Sequence, residues 1–336
     1  MSEVEKLEPF RIEPAFVERI WGSRDLRPWY AFEAKGDPVG EVWLTGDQCR
    51  AGTGLLQGKT VGEIFTGHSG AMLGGGAPKW AAGQSPLLMK VIFAKEKLSV
   101  QLHPDDRLAQ KYGQPRGKTE CWYALEADAG AAVAAGLKSG VTLEQVEAGV
   151  KDGTLEESLE VVPVEAGDLI FVDAGTVHAI WPGSVLLETQ QNSDITYRLY
   201  DYGRPRELHV AKAIEAIRLE TDAGKVTPKE LGDRTVLIDG AYFRVEKVTV
   251  EGALTDEKLA GTDGMERLTY LFAAEGDGAI RPREAGAFEA VELPKCGIVA
   301  LPALSLPWEV VAGPGGLAVI RVVTKFPEAG LTGATA

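Results

Sequence analysis

The chain has 336 residues, 45% hydrophobic and 25% charged, an ordinary balance for a soluble globular protein with room for one large domain or two moderate ones. Its 49 acidic residues outnumber 35 basic ones, giving −14, and no dense basic run interrupts them, which argues against nucleic acid or an anionic membrane as partner. Cys49, Cys121 and Cys296 are too widely spaced for a disulfide framework, the N-terminus is acidic without an apolar core, and no stretch approaches the roughly 18 apolar residues of a membrane helix. A cytoplasmic protein is expected.

In chain order, residues 1–50 hold short strand candidates, among them Arg11–Gly22 and Gly40–Gly46. Residues 54–88 read as an irregular or helical insertion, ended by Gly74–Gly76. Pro86–Phe93 is apolar but for Lys90, as a strand buried on both faces should be. A turn at Lys95–Lys97 leads into Glu96–Asp106 (EKLSVQLHPDD), where strand alternation puts Ser99, Gln101 and His103 on one face and Leu98, Val100 and Leu102 on the other. Lys118–Leu125 alternates again, with Lys118, Glu120 and Trp122 together. Residues 141–160 predict one or two helices, with Thr142 and Gln145 as a capping box.

Gly167–Ile180 reads as a strand, a tight turn at Asp173–Gly175 and a second strand. Val185–Asp201 is either one strand, with Glu188, Gln190, Asn192, Asp194, Thr196 and Arg198 on one polar face, or a hairpin at Asn192-Ser193 that breaks this phase. Residues 207–220 have helical spacing and connect the two halves. From Val236 the chain is β-patterned and holds no histidine, and its ending, EAGLTGATA, reads as a loose tail. A faint repeat relates the strand pair after Gly167 to that after Gly297, with His178 eleven residues after the first glycine and Trp308 eleven after the second.

Gln101, His103, Glu120 and His178 form one candidate metal-ligand set. Two imidazoles, a carboxylate and an amide oxygen suit Zn²⁺, and less selectively Mn²⁺, Fe²⁺ or Co²⁺. The set leaves room for water or a substrate oxygen, as a catalytic site does. Taken singly, each has an ordinary reading. His103 would be a turn residue, His178 a core histidine, Glu120 half of an ion pair with Lys118 or Arg116, and Gln101 is the weakest. Their joint occurrence on polar strand faces carries the metal reading, whereas His68 and His209 read as surface or helix-packing residues.

Gly167 to His178 resembles the second cupin motif, G-x5-P-x-G-x2-H, with Asp173 in place of proline. The first cupin motif usually offers HxH; here it reads Gln101-x-His103. That exchange, with LSVQLHPDD, Lys118-x-Glu120, ERIWG (Glu18–Gly22), GEVWLTGD (Gly40–Asp47) and QQNSDITYRLYDYGRPRELH (Gln190–His209), resembles the type I mannose-6-phosphate isomerases in their short bacterial form. The likeness spans about residues 10 to 220, and Tyr202 stands where relatives often have tryptophan.

The resemblance implies a mainly β bicupin, two jelly-roll barrels with a small helical insertion and a connecting helix. Residues 1–220 would be the catalytic metal-binding cupin, with helical insertions near 54–88 and 141–160, and residues 221–336 a degenerate second cupin without ligands. It implies one Zn²⁺ per chain on Gln101, His103, Glu120 and His178, and interconversion of mannose 6-phosphate and fructose 6-phosphate through a cis-enediol. Arg198 matches the family's active-site arginine and Lys118 a lysine with acid-base or substrate roles. Asp194 joins them as a catalytic candidate. Ser99, Lys97 and Glu188 are substrate-binding candidates, with Lys95 beside them. The partner is a small sugar phosphate, and a monomer is expected. The rival readings are an Fe²⁺ cupin dioxygenase, disfavoured by the few histidines, and a non-catalytic sugar-phosphate-binding cupin.

Overall fold

A computed structural model describes residues 5–259 and 266–327. The tail Glu328–Ala336 lies outside the described residues. The chain is mainly β with few helices, as expected, and its strands form three antiparallel sheets.

The seven-stranded sheet holds β2 (Ala15–Ser23), β3 (Val39–Trp43), β5 (Leu87–Ala94), β7 (Glu120–Ala127), β10 (Leu169–Val172), β12 (Ser184–Gln191) and β14 (Gly224–Lys225), ordered β14-β10-β7-β12-β5-β3-β2. Facing it is a five-stranded sheet of β6 (Val100–Leu102), β8 (Ala132–Leu137), β9 (Leu159–Pro163), β11 (His178–Ile180) and β13 (Tyr197–Tyr200), ordered β13-β6-β11-β8-β9. The ten-stranded sheet contains β1 (Phe10–Glu13), β4 (Arg50–Ala51), β15 (Lys229–Glu230), β16 (Arg234–Asp239), β17 (Phe243–Val250), β18 (Ala253–Thr255), β19 (Thr269–Pro282), β20 (Val291–Leu293), β21 (Ile298–Leu301) and β22 (Trp308–Thr324). Its main path runs β15-β16-β17-β22-β19-β21-β1-β4. Where two barrels were expected, the strand paths among the described residues stay open.

Burial explains the strand patterns. Ile92, Trp122, Ile170 and Leu186 of the seven-stranded sheet pack on Val133, Ala135 and Ile180 of the five-stranded one. The opposite face of the seven-stranded sheet, with Met89, Val91, Phe93 and Tyr123, packs on Phe243, Tyr270, Phe272 and Ile320 of the ten-stranded sheet. β5 is therefore buried along its whole length, which is why its sequence is an apolar run. β1 pairs with β21, so an N-terminal strand is built into the second sheet.

The helices sit outside. α1 (Val61–Leu73) starts with a capping box of Thr60 and Glu63 and stops at Gly74, whose φ of +78° favours glycine. α2 (Asp106–Lys111), unforeseen from the sequence, is capped by Asp105, which accepts from the Leu108 N–H. α3 (Leu143–Asp152) carries the expected Thr142–Gln145 capping box. α4 (Val210–Ala216) is shorter than residues 207–220, with His209 at its N-cap, and α5 (Asp256–Leu259) is a single turn. Among the described residues no helix is long and apolar enough to cross a membrane.

Two sequence features are resolved by the topology. Val185–Asp201 is not one strand. β12 ends at Gln191, the chain turns as the Ser193 N–H donates to Gln191 O (2.7 Å), and β13 joins the other sheet. The faint repeat corresponds to equivalent positions: Gly167 precedes β10 and His178 opens β11, while Gly297 precedes β21 and Trp308 opens β22. The order β10-β7-β12-β5-β3-β2 in the first half is matched by β21-β19-β22-β17-β16-β15 in the second.

Candidate metal centre

Three short strands set one side of the site. His178 on β11 and Arg198 on β13 both stand opposite Gln101 on β6, so the three side chains form a row across the five-stranded sheet. Glu120 opens β7 in the facing sheet, and Lys118 lies two residues before it. Gly175 ties the parts together. Its N–H donates to His103 O (2.8 Å), and its φ is +90°. A Cβ there would lie 2.8 Å from Arg218 Cγ and 3.0 Å from Ala216 O, so glycine is required.

His103 Nδ1 donates to Ile195 O (2.6 Å) and His178 Nδ1 to Thr176 O (2.9 Å). Each bond fixes the tautomer and leaves Nε2 unprotonated, with a lone pair to offer, the usual preparation of metal-binding imidazoles. Both Nε2 atoms face Glu120, at 3.7 Å for His103 and 3.6 Å for His178. One ligand atom from each of the three residues falls within a 4.8 Å cluster, and all three are buried.

Gln101 completes the ring, its Nε2 being 3.4 Å from His178 Nε2 and its Oε1 accepting from Ser99 Oγ (3.0 Å). Turning the amide over presents Oε1 to the cluster and Nε2 to Ser99. Neither buried oxygen of Glu120 has a hydrogen-bonded partner among the described residues, although Lys118 Nζ lies 2.5 Å from Oε2 as an ion pair. A buried carboxylate with Lys118 as its close cationic neighbour, facing two unprotonated imidazole nitrogens, fits a divalent cation.

Burial, and then the nearby Lys118 charge and His178, hold His103 well below the ordinary histidine range; burial also lowers His178 against the pull of Glu120. Both imidazoles are therefore neutral at pH 7, the form that binds metal. Burial likewise depresses Lys118, with Glu120 opposing and Lys90 reinforcing the shift. Lys118 Nζ also reaches His103 Nε2 at 3.1 Å.

The cluster opens into a cavity of about 490 Å³ lined by Ser99, Glu188, Asp194, Arg198 and Arg206 as well as the candidate ligands Gln101, Glu120 and His178. Arg198 Nε donates to Ser99 Oγ (3.3 Å) and Nη1 to Glu207 O (2.8 Å). Asp194 is exposed at the rim. Glu188 is held by Trp122 Nε1 (3.1 Å) and Lys90 Nζ (2.7 Å).

Of the sequence candidates, Lys97 and Lys95 are not brought to this cavity. Lys97 pairs with Glu156 (2.8 Å) and lies over the Trp181 and Tyr202 rings, and Lys95 is exposed. His68 pairs with Glu5 (2.8 Å) away from the site.

Sequence reasoning missed a buried charge chain behind Glu188. Lys90 is 3.6 Å from Glu41, and Glu41 is 2.9 Å from Arg19. The signal for Lys90 was its position as the sole charge of an apolar strand. Also missed was Asp106, which accepts from Gly117 N–H (2.8 Å), Gln191 Nε2 (2.9 Å) and Tyr242 OH (2.9 Å), linking the start of α2 to the approach to β7 and to the second half.

Residues 9–145 match the family model described as phosphomannose isomerase type I, catalytic domain. The chain is 33% identical over 314 residues to mannose-6-phosphate isomerase ManA of Bacillus subtilis, covering 86% of this chain and 98% of the relative. The crystal structure of the mannose 6-phosphate isomerase from Bacillus subtilis superposes with a TM-score of 0.80 at 28% identity, covering 94% of this chain and 99% of that one. A mannose 6-phosphate isomerase bound with zinc and yttrium shares the fold at TM-score 0.71 and 18% identity, over 95% of this chain and all of that one. With this geometry and this coverage, the chain belongs to the type I phosphomannose isomerase family.

Proposed function

We propose that the chain is a zinc-dependent aldose-ketose isomerase that interconverts mannose 6-phosphate and fructose 6-phosphate through a cis-enediol. The observation that carries this reading is the buried Glu120 carboxylate, ion-paired with Lys118 alone among the cations of the described residues and facing the unprotonated Nε2 atoms of His103 and His178, at the end of a cavity that also holds Arg198. Gln101, His103, Glu120 and His178 would hold one Zn²⁺ per chain. When bound, the ion supplies Lewis acidity toward the C1 and C2 oxygens of the sugar.

The chain's own residues then divide the work. Lys118, whose neutral form burial favours, takes the proton from C2 and returns it to C1. The C2–H bond breaks as the C1 carbonyl becomes a hydroxyl, and the C1–H bond forms as the C2 hydroxyl becomes a carbonyl. Arg198 stands beside the row of ligands and balances the negative charge that passes between the two oxygens. Ser99, which accepts from Arg198, and Glu188, which Lys90 and Trp122 hold in place, orient the hydroxyls. Asp194 at the rim relays protons between the oxygens and water. The phosphate points to the open end, where Arg206 also lines the wall.

The same reading takes the fold as a bicupin, supported by the matching strand orders, with the catalytic half up to about residue 220 and a degenerate second cupin from 221 onward. Three free, buried cysteines suit a reducing cytoplasm, and a monomer is proposed. The test is a coupled assay on purified protein with mannose 6-phosphate. Turnover that a chelator abolishes and Zn²⁺ restores is expected. Saturable binding of the sugar phosphate without turnover would favour a non-catalytic binding module instead.

A further inference from the structure

The second half carries a cavity of about 660 Å³ of its own, lined by Thr269, Trp308, Arg234, Arg244, Glu246 and Arg321 among others. Strand register shows where it lies. In the first half the last residue of β10, Val172, pairs with Glu120, which opens β7. In the second, the last residue of β21, Leu301, pairs with Thr269, which opens β19. Thr269 thus stands in the place of Glu120, and Trp308 in the place of His178. The cavity occupies the position of the metal centre but offers neither of those two ligands.

A buried charge pair is kept there with its signs exchanged. Glu188 on β12 pairs in register with Lys90 on β5; the equivalent strands β22 and β17 pair Arg321 with Glu246. Glu246 is 1% exposed and accepts from Arg321 Nη1 (2.6 Å) and Arg244 Nε (2.7 Å), with Arg234 Nη1 at 3.7 Å. Three guanidinium groups converge on one carboxylate. Arg234 is matched by Asp233, and Arg244 by Asp239. Arg321 is itself 5% exposed, and Glu246 is its one hydrogen-bonded partner among the described residues. A guanidinium has five N–H donors, and those of Arg321 that Glu246 does not take line the cavity, where a ligand can accept them.

We propose that this cavity is a second binding site, for a small oxyanion such as the phosphate or carboxylate group of a metabolite, with Arg321 as its principal donor. The fork of an arginine matches such groups by two parallel hydrogen bonds, and Trp308 supplies an apolar wall beside it. The site is independent of isomerase chemistry, because none of its residues lines the first cavity.

The test is a calorimetric titration of the full chain with inorganic phosphate. The wild type and an Arg198→Gln/Arg206→Gln variant, in which the open end of the first cavity has lost its arginines, are both expected to bind phosphate saturably. Added to that background, Glu246→Gln/Arg321→Gln, which keeps a neutral hydrogen-bonding pair, is expected to weaken binding about tenfold or abolish it, and made alone in the wild type this double variant leaves isomerase turnover unchanged. Absence of saturable binding in the wild type, its loss in Arg198→Gln/Arg206→Gln, or its full retention after Glu246→Gln/Arg321→Gln is added to that background would overturn the proposal. Should Glu246→Gln/Arg321→Gln not fold, the Arg321 Nε–H resonance of the wild type decides: phosphate must shift it, and an unmoved resonance at saturation rejects the site.

Discussion

Lys118 is the residue on which the proposed chemistry turns, and its surroundings separate two roles. It sits between His103 Nε2 and Glu120 Oε2, so it could serve only to balance charge in the absence of an ion. If it moves the substrate proton, Lys118→Met lowers kcat by about 100- to 10,000-fold while metal content and circular dichroism stay unchanged. Lys118→Arg, which keeps the charge but not an accessible neutral form, would then fail to restore the rate. Recovery of turnover by the arginine variant would assign Lys118 to charge balance alone. Residue identity was legible here because alternation fixes which side chains share a strand face, as it did for Gln101 with His103 and for Lys118 with Glu120. Lys97 shows the limit. It lies in a turn, where no period aims the side chain, and its partner Glu156 comes from a segment distant in sequence.

At the level of elements, the tight turn between β10 and β11 does the positioning. Gly175 holds a left-handed backbone and gives its N–H to the carbonyl of His103, so one turn sets the spacing between two ligand-bearing segments. Gly175→Ala forces a Cβ against Arg218 and Ala216 in a conformation that costs L-residues about 1–2 kcal/mol. The expected result is a lowered midpoint in urea, together with weaker metal retention than that of an equally destabilised variant far from the site. Retention equal to that control would mean the turn has only a structural role. The glycine and its distance to His178 could be read from the sequence. The break between β12 and β13 could not, because a period of two says which face a residue takes but not whether the strand stays in one sheet. The Glu41–Lys90–Glu188 chain was hidden for a related reason: its members meet only when β3, β5 and β12 lie side by side.

The whole molecule is two similar strand arrangements joined through the buried face of the seven-stranded sheet, with β1 inserted into the second. All three cysteines are buried, and burial pushes the Cys49 thiol up to about 11, Cys296 up to about 12 and Cys121 up as well. The thiols are therefore both protonated and shielded at pH 7 to 9. A soluble thiol reagent should label none in the native protein and three after denaturation. Rapid native labelling would show that the joint between the halves opens readily.

The central claim is that His103, Glu120 and His178, with Gln101, hold a catalytic metal. Elemental analysis of the purified chain beside His178→Ala, with isomerase turnover measured on the same samples, tests it most directly. The account predicts one zinc per wild-type chain with mannose 6-phosphate turnover, and loss of both in the variant. A His178→Ala protein with full metal content and full rate would contradict it.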